Sequence, residues 1–191
     1  GETDVEQLFD AFVPQQLAAL ESHRAVIPGV AETAAQLRRR GVAIGSTSGY
    51  TREMMDRVVA SAAGEGYAPD VVVAVDEVAR GWPSPFMAQR AMERLDVWPA
   101  AACVKVGDTV SDVEEGLNAG MWTVSVTVSG NEVGLALADW QSLSAERQQA
   151  LRETAVTRLA RAGAHYVVDT VADLPAALDA IEAALARGER P

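Results

Sequence analysis

The sequence is poor in two reactive residue types, and their scarcity limits its chemistry. Among 191 residues there is one cysteine, Cys103, and one lysine, Lys105, while the other fifteen basic residues are arginine. A single cysteine allows no disulfide within the chain, and its apolar neighbours predict that Cys103 lies in a buried strand. We therefore expect a protein of the reducing cytoplasm.

Positive charge, aromatic residues and long apolar runs are scarce as well. The formal net charge of -11 argues against nucleic acid or an anionic membrane as the partner, because phosphate contacts need clustered lysine and arginine. No run approaches the roughly 18 apolar residues of a membrane span, and we expect no signal peptide. With only three phenylalanines, the core is expected to consist of valine, alanine and leucine. The first residue is glycine, which indicates a processed, tagged or truncated start.

Helical and strand-like patterns alternate along residues 30–186, which predicts a parallel sheet with helices on both faces. The fourth strand pattern alternates apolar with hydroxyl side chains, as is typical of a strand nearer an edge. A helical segment at 4–22, interrupted by Pro14, precedes the first strand. The predicted strands lie at 42–47, 71–75, 101–104, 122–128 and 165–168.

Two carboxylates four residues apart follow the third predicted strand. Asp108 stands where the strand ends, and Asp112 falls in the first helical turn, with Ser111 and Glu114 predicted to form a capping box. Ligands of parallel α/β sheets bind beyond the carboxyl ends of the strands, and Mg²⁺ is usually held by one or two carboxylates together with substrate phosphate. The pair therefore indicates a magnesium site, the alternative being a capped turn whose acids face water.

Two further polar turns link strands to helices. The turn 46–50 carries Thr47 and Ser48, and a hydroxyl in front of helical N–H groups can donate to a phosphate oxygen, although ordinary capping turns have the same composition. The turn 76–83 contains Trp82, and a tryptophan in a loop commonly just covers the edge of a sheet. Because the carboxyl ends of parallel strands meet at one edge, we expect all three turns to converge on one site.

Together the three turns resemble the second, third and fourth motifs of the haloacid dehalogenase superfamily, whose members transfer phosphoryl groups with an aspartate nucleophile and Mg²⁺. The sequence is closer still to the phosphonoacetaldehyde hydrolase family, over most of residues 24–184. The resemblance implies the end of a helical cap at 1–24 and a haloacid dehalogenase-like core, with a Rossmann-like parallel sheet, at 25–191. The segments that carry it are 45–56, 105–112, 118–124 and 162–166.

That family cleaves the carbon–phosphorus bond of phosphonoacetaldehyde to give acetaldehyde and phosphate. A lysine of the cap forms a Schiff base with the aldehyde, and an aspartate of the core accepts the phosphoryl group. By position, Asp108 matches the carboxylate that binds Mg²⁺, and Asp112 matches the acid that supports the water shell of the metal. The resemblance thus implies Mg²⁺ as the cofactor and a small phosphonate as the substrate.

The resemblance also implies roles for residues of the other two turns. Ser48 matches the hydroxyl of the second motif, with Thr47 as a close competitor. Gly49 and Tyr50 match residues that line the substrate cleft. The arginine that binds phosphate in the third motif falls on Trp82, so Arg80, two residues away, is the candidate to reach the substrate.

Three departures from the family pattern lead us to expect no turnover by this chain alone. No aspartate-bearing strand precedes Val42, so the nucleophile and the first strand of the sheet are expected to be absent. The only lysine, Lys105, lies in a core strand rather than in a cap, and Trp82 cannot neutralise an anion. The chain is therefore expected to be the carboxyl-terminal part of a longer enzyme.

Other functions stay open at this point. One alternative is another phosphatase or mutase of the superfamily that needs no lysine, and a second is a non-catalytic phosphonate-binding homologue, which Trp82 would suit. Family members commonly form homodimers through their caps. Phe9 and Phe12 are candidates for that contact, the alternative being that they pack on the chain's own core.

Overall fold

The computed structural model describes Gln15 and residues 25–191. Residues 25–191 contain five strands and seven helices, which alternate as predicted except before the last strand. Two helices precede that strand, and the first of them, Leu137–Ser142, was not predicted. The predicted segment 4–22, with Phe9 and Phe12, lies outside the described residues apart from Gln15. The strands are β1 (Gly45–Ser48), β2 (Val71–Ala74), β3 (Val104–Gly107), β4 (Trp122–Val126) and β5 (Tyr166–Val168). The helices are α1 (Val30–Arg39), α2 (Arg52–Gly64), α3 (Phe86–Leu95), α4 (Val110–Ala119), α5 (Leu137–Ser142), α6 (Ala145–Arg161) and α7 (Leu174–Ala186).

All strand pairs are parallel, but the strands form two separate hydrogen-bonded groups. One group joins β1 to β2, and the other has the order β3-β4-β5. Lys105 on β3 donates to the Thr47 hydroxyl on β1 at 2.8 Å, so the two groups face each other across the break. Within the described part of the chain no strand fills this break, which is where the family resemblance places the absent first strand.

Helices cover both faces of the larger group, as a parallel sheet requires. On one face, Trp122 and Val124 of β4 pack with Leu37 of α1 and Ile181 of α7. On the other face α4 lies so close to the sheet that a Cβ added to Gly116 would be 2.5 Å from Thr123. The alternation of side chains along β3 therefore turns Lys105 towards α4, away from Val104 and Val106.

The prediction that the fourth strand lies nearer an edge was wrong. β4 is the middle strand of its group, and all five of its residues are buried. Two buried hydroxyl groups of this segment have partners: the hydroxyl of Thr123 lies 2.8 Å from His165 Nδ1, and Thr127, just after the strand, donates to the Val168 carbonyl at 3.1 Å. The alternating pattern thus reflects two differently covered faces rather than one exposed face.

Cys103 is also placed differently from the prediction. It precedes β3 rather than lying within it, because a short turn over Ala100–Ala102 takes up the start of the apolar run. The thiol is half-buried, 3.6 Å from the Pro99 carbonyl, and burial raises its pKa. Among the described residues, no helix has the length and apolar character needed to cross a membrane.

Glu77, in the turn after β2, connects three elements through hydrogen bonds. Its carboxylate accepts from the Ala74 amide at 2.7 Å, from Arg94 of α3 at 2.9 Å and from Arg52 of α2. Burial disfavours the charged form, but these donors outweigh it and lower the pKa of Glu77 to about 2. This residue of the second polar turn therefore stabilises the fold.

Replacing Glu77 by glutamine should lower the free energy of unfolding by about 1 kcal/mol at neutral pH. Because the pKa of Glu77 is lowered in the folded state, its contribution is present above the ordinary value of 4.5 and is lost as pH falls towards about 2. Urea unfolding at neutral and strongly acidic pH measures the change. The control is Glu93→Gln, because the side chain of Glu93 is 72% exposed. If the stability difference between Glu77→Gln and the wild type did not shrink in acid, this role of Glu77 would be contradicted.

Candidate active site

Three loops that follow the carboxyl ends of strands meet around one buried ammonium group. Lys105 Nζ lies 2.8 Å from Thr47 Oγ1 at the end of β1. The same nitrogen lies 3.1 Å from Asp112 Oδ1 and 2.5 Å from Glu115 Oε2, both on α4. Trp82, from the loop after β2, donates its indole N–H to Glu115 Oε2 at 3.0 Å. The structure thus brings together the three turns that sequence reasoning selected.

Asp112 lies in the first turn of α4, as expected, but a different capping box holds it. The N-cap is Thr109, whose hydroxyl accepts from the Asp112 amide at 3.3 Å, while Asp112 Oδ2 accepts from the Thr109 amide and hydroxyl at 3.2 and 2.6 Å. The predicted box of Ser111 and Glu114 was therefore wrong, because the helix begins two residues earlier than that box requires. A Cβ at Gly107 would lie 2.3 Å from Asp112 Cβ, so glycine is needed there.

Asp108 follows β3 directly and is held by the loop after β4. Among the described residues, the Asp108 carboxylate accepts a hydrogen bond only from the Asn131 amide, which lies 2.8 Å from Oδ2. Burial raises the pKa of Asp108, and the negative charge of Asp112 raises it further. The Asn131 amide and the charge of Lys105 lower this pKa but do not cancel the rise. A cation beside Asp108 would favour its charged form.

The acidic residues of this edge suit a hard cation that binds few protein oxygens and keeps most of its bound water. Among the residues that the structure describes, no three histidine, cysteine, aspartate or glutamate side chains are grouped to hold a metal ion. Both oxygens of Asp112 already have partners, whereas Asp108 accepts only from the Asn131 amide among the described residues, so Asp108 is the less engaged carboxylate for direct contact. Mg²⁺ commonly takes one or two protein carboxylates and completes its shell with water and substrate phosphate, so these residues fit it.

The two candidate hydroxyl groups, those of Thr47 and Ser48, differ in whether their protons are already used in a hydrogen bond within the protein. Thr47 accepts from Lys105 and donates to Glu115 Oε2 at 3.2 Å, so its proton is used inside the protein. Ser48 Oγ accepts from the Tyr50 amide at 3.1 Å and donates to no other described residue. The proton of Ser48 is therefore available to a ligand at this edge, and that of Thr47 is not.

Trp82 closes the side of the site formed by the second loop. A Cβ at Gly49 would lie 3.0 Å from the indole ring, so the ring rests against the glycine of the first turn. Lys105 Nζ is 5.6 Å from the ring centroid, within range of a cation–π contact. Arg80 is exposed and makes no hydrogen bond or ion pair with another described residue. The structure thus places the indole, and not a guanidinium, against Gly49.

Sequence reasoning missed Glu115, which is 0% exposed and joins Thr47 and Trp82 of the first two turns to Lys105 of β3. Its partners are distant in sequence, Thr47 by 68 residues and Trp82 by 33, so no local motif marks it. The available signal was its spacing: Glu115 lies three residues after Asp112, which puts both carboxylates on one face of α4. That face is the one towards which β3 turns its only charged side chain.

Comparison with known proteins points to the same superfamily as the sequence motifs. A family model described as haloacid dehalogenase-like hydrolase matches residues 2–120, and a second model of the HAD-hydrolase-like type matches residues 79–174. The phosphonoacetaldehyde hydrolase of Paraburkholderia xenovorans is 46% identical over 190 residues, covering 100% of this chain and 71% of that protein. The enzyme of the same name from Vibrio cholerae is 49% identical over 190 residues, covering 99% of this chain and 70% of that protein.

A solved structure shares the fold closely. The crystal structure of a phosphonoacetaldehyde hydrolase-like protein from Oleispira antarctica superposes with a TM-score of 0.98 at 43% identity, covering 100% of this chain and 69% of that one. Both matches cover the whole chain, so the aligned region includes the loops that carry Ser48, Trp82 and Asp108. The chain therefore belongs to the phosphonoacetaldehyde hydrolase family of haloacid dehalogenase-like hydrolases.

Proposed function

We propose that the protein acts in the hydrolysis of phosphonoacetaldehyde, cleaving the carbon–phosphorus bond with water to give acetaldehyde and phosphate. The observation that carries the proposal is the identity to enzymes of that name along the whole chain. The meeting of Thr47, Trp82 and Asp112 around Lys105 supports it, because Ser48 is the residue after Thr47 and Asp108 follows the strand that carries Lys105. A phosphonate at this edge would meet one hydroxyl donor and one carboxylate able to bind a cation.

The acidic residues have separate roles in this proposal. Hydrolases of this superfamily generally use Mg²⁺, which would supply the positive charge that a phosphonate dianion needs. Asp108 would hold the metal directly. Asp112 accepts from the Asp108 amide at 3.3 Å, so its role would be to hold Asp108 in place and to support the water shell. In the family pattern a third carboxylate, the nucleophile, completes the set.

Ser48 would donate to a phosphonate oxygen, with Gly49 and Tyr50 lining the cleft around the aldehyde. Thr47 would act indirectly, because its proton is directed to Glu115. Arg80 is exposed beside Trp82 and is the candidate to add positive charge from the second loop. Trp82 would supply an apolar wall.

Lys105 does not suit the Schiff-base step. Its ammonium lies between Asp112 and Glu115, and its side chain is 10% exposed, so it is not available as an amine to the aldehyde. In our proposal the electron-accepting lysine and the nucleophile come from sequence outside these 191 residues. The chain by itself would then not turn over the substrate.

The proposal is tested by expressing the gene from its own start codon and assaying phosphonoacetaldehyde for release of acetaldehyde and phosphate. We expect both products in equal amounts, with borohydride trapping of the aldehyde on a lysine other than Lys105. Phosphate release from simple monoesters but not from phosphonoacetaldehyde would instead favour a phosphatase. Binding of phosphonates without any product would favour the non-catalytic homologue, for which Trp82 is the supporting observation.

In that protein, Ser48→Ala should lower kcat/KM by about 10- to 100-fold, the size expected for one hydrogen bond to a charged group. Thr51→Ala is the matched control, because Thr51 is the N-cap of α2 but its side chain makes no capping hydrogen bond. The kinetic constants of both variants are measured with saturating Mg²⁺. Equal losses in the two variants would contradict a direct role for Ser48.

We further propose that the enzyme is cytoplasmic and works as a homodimer, as the family resemblance implies. The single cysteine, Cys103, supports the first of these statements. Phe9 and Phe12, the candidates for a dimer contact, fall in the part of the chain that the structure does not describe. Light scattering of the expressed protein measures its oligomeric state.

A further inference from the structure

Glu115 is a fully buried charge that the proposed reaction does not use. Its Oε2 accepts from Lys105 at 2.5 Å, from Trp82 at 3.0 Å and from Thr47 at 3.2 Å. Its Oε1 is buried and has no hydrogen-bond partner among the described residues. Burying a carboxylate is costly, and pairs of this kind are often replaceable by apolar residues without loss of stability. Packing alone therefore does not explain a glutamate at this position of α4.

The contacts of Glu115 fix two groups at the edge of the site. Thr47 is oriented from both sides, since it accepts from Lys105 and donates to Glu115. Ser48 is the next residue along the chain. The indole N–H bond to Glu115 holds Trp82 with its ring against Gly49. One carboxylate thus determines the position of the first loop relative to the second.

We propose that Glu115 is a positioning residue of the active site, with Lys105 as its counter-ion. Through Thr47 and Trp82 it would hold the Ser48–Gly49 turn and the wall of the cleft in the arrangement that receives the phosphonate. This inference rests on the proposed function for the identity of the ligand. The orientation of Trp82 by Glu115 can be tested without any ligand.

The indole N–H of Trp82 reports directly on this contact. In protein with ¹⁵N-labelled tryptophan, Trp82→Phe assigns its signal among the four tryptophans. We expect Glu115→Leu to speed hydrogen exchange of this N–H by at least about tenfold and to shift its signal, since the acceptor is lost. Glu115→Gln keeps an acceptor oxygen and should restore most of the protection. Glu114→Leu, the exposed neighbour on α4, should change neither quantity.

A variant that fails to fold would not leave the question open. Lys105→Met combined with Glu115→Leu removes both charges together, which buried pairs tolerate far better than the loss of one. We expect this double variant to fold and still to show fast exchange at Trp82. An unchanged Trp82 signal and exchange rate in folded Glu115→Leu or in the double variant would overturn the proposal.

Titration with inorganic phosphate in the presence of Mg²⁺ connects the contact to the site. The wild-type Trp82 signal should respond to phosphate, and the double variant should need at least about tenfold more phosphate for the same response. Glu114→Leu should titrate like the wild type. No response in the wild type would contradict the proposed function, whereas the exchange data decide the role of Glu115 separately. Equal phosphate affinity in the wild type and the double variant would overturn the positioning role.

Discussion

Replacing Lys105 by methionine is expected to lower the free energy of unfolding by about 3–5 kcal/mol, because it leaves a buried carboxylate without its partner. The side chains of Lys105 and Glu115 are 10% and 0% exposed, so water cannot replace the lost ammonium. A loss of this size is a large share of the roughly 5–15 kcal/mol that stabilises a domain. Guanidinium-induced unfolding at neutral pH, followed by circular dichroism, measures it.

Two further variants show whether the loss comes from the unpaired charge. Adding Glu115→Leu to Lys105→Met should recover much of the stability, since the fully buried carboxylate is then removed with its partner. Asp112 also loses Lys105 in this variant but keeps its hydrogen bonds from the Thr109 amide and hydroxyl. Arg90→Met breaks the exposed pair between Arg90 and Glu93, 3.3 Å apart, and should cost no more than about 0.5 kcal/mol. If Lys105→Met were as mild as Arg90→Met, the ion pair would not be a determinant of stability.

The fold could be predicted from the sequence because its strands lie in or next to short apolar runs, which helical patterns separate. Even the break between β1 and β3 was expected, because no strand-like segment precedes Val42. The position of β4 was not predicted, since a side chain such as Thr123 looks exposed until its partner His165 is known, 42 residues away. Local patterns therefore predict which segments form strands better than they predict which strands lie in the middle of the sheet and are buried.

The same limit applies to the candidate site. Asp108 and Ser48 could be placed at the carboxyl ends of strands, because each stands where a strand-like run gives way to a polar turn, and their roles in binding stay predictions. Lys105 looked out of place in a core strand, because the sequence does not show that Asp112 and Glu115 lie opposite it. The pairing depends on the packing of α4 against β3, which is tertiary information. Residues that act through others are the ones that sequence reasoning misses here.

Replacing Asp108 by asparagine should remove most of the Mg²⁺-dependent stabilisation of the protein, because both oxygens of Asp112 are already engaged by Lys105 and Thr109. At a Mg²⁺ concentration ten times the dissociation constant, the wild type should gain about 1.4 kcal/mol. Thermal unfolding with and without Mg²⁺ measures this gain. Asp139→Asn, at an exposed position of α5, is the matched control and should respond to Mg²⁺ like the wild type.

Without metal, the same variant should be more stable than the wild type at neutral pH, by about 0.5–2 kcal/mol, because it removes a partly buried charge that lacks a cation. Burial raises the pKa of Asp108 in the folded state, so ionising this carboxylate destabilises the fold as pH rises above the ordinary value of 3.8. The advantage of the variant should therefore disappear in acid, where Asp108 is protonated. The Asn131 amide keeps its acceptor in the variant, since asparagine retains a carbonyl oxygen. A variant that is less stable than the wild type without metal would show that Asp108 serves the fold rather than a cation.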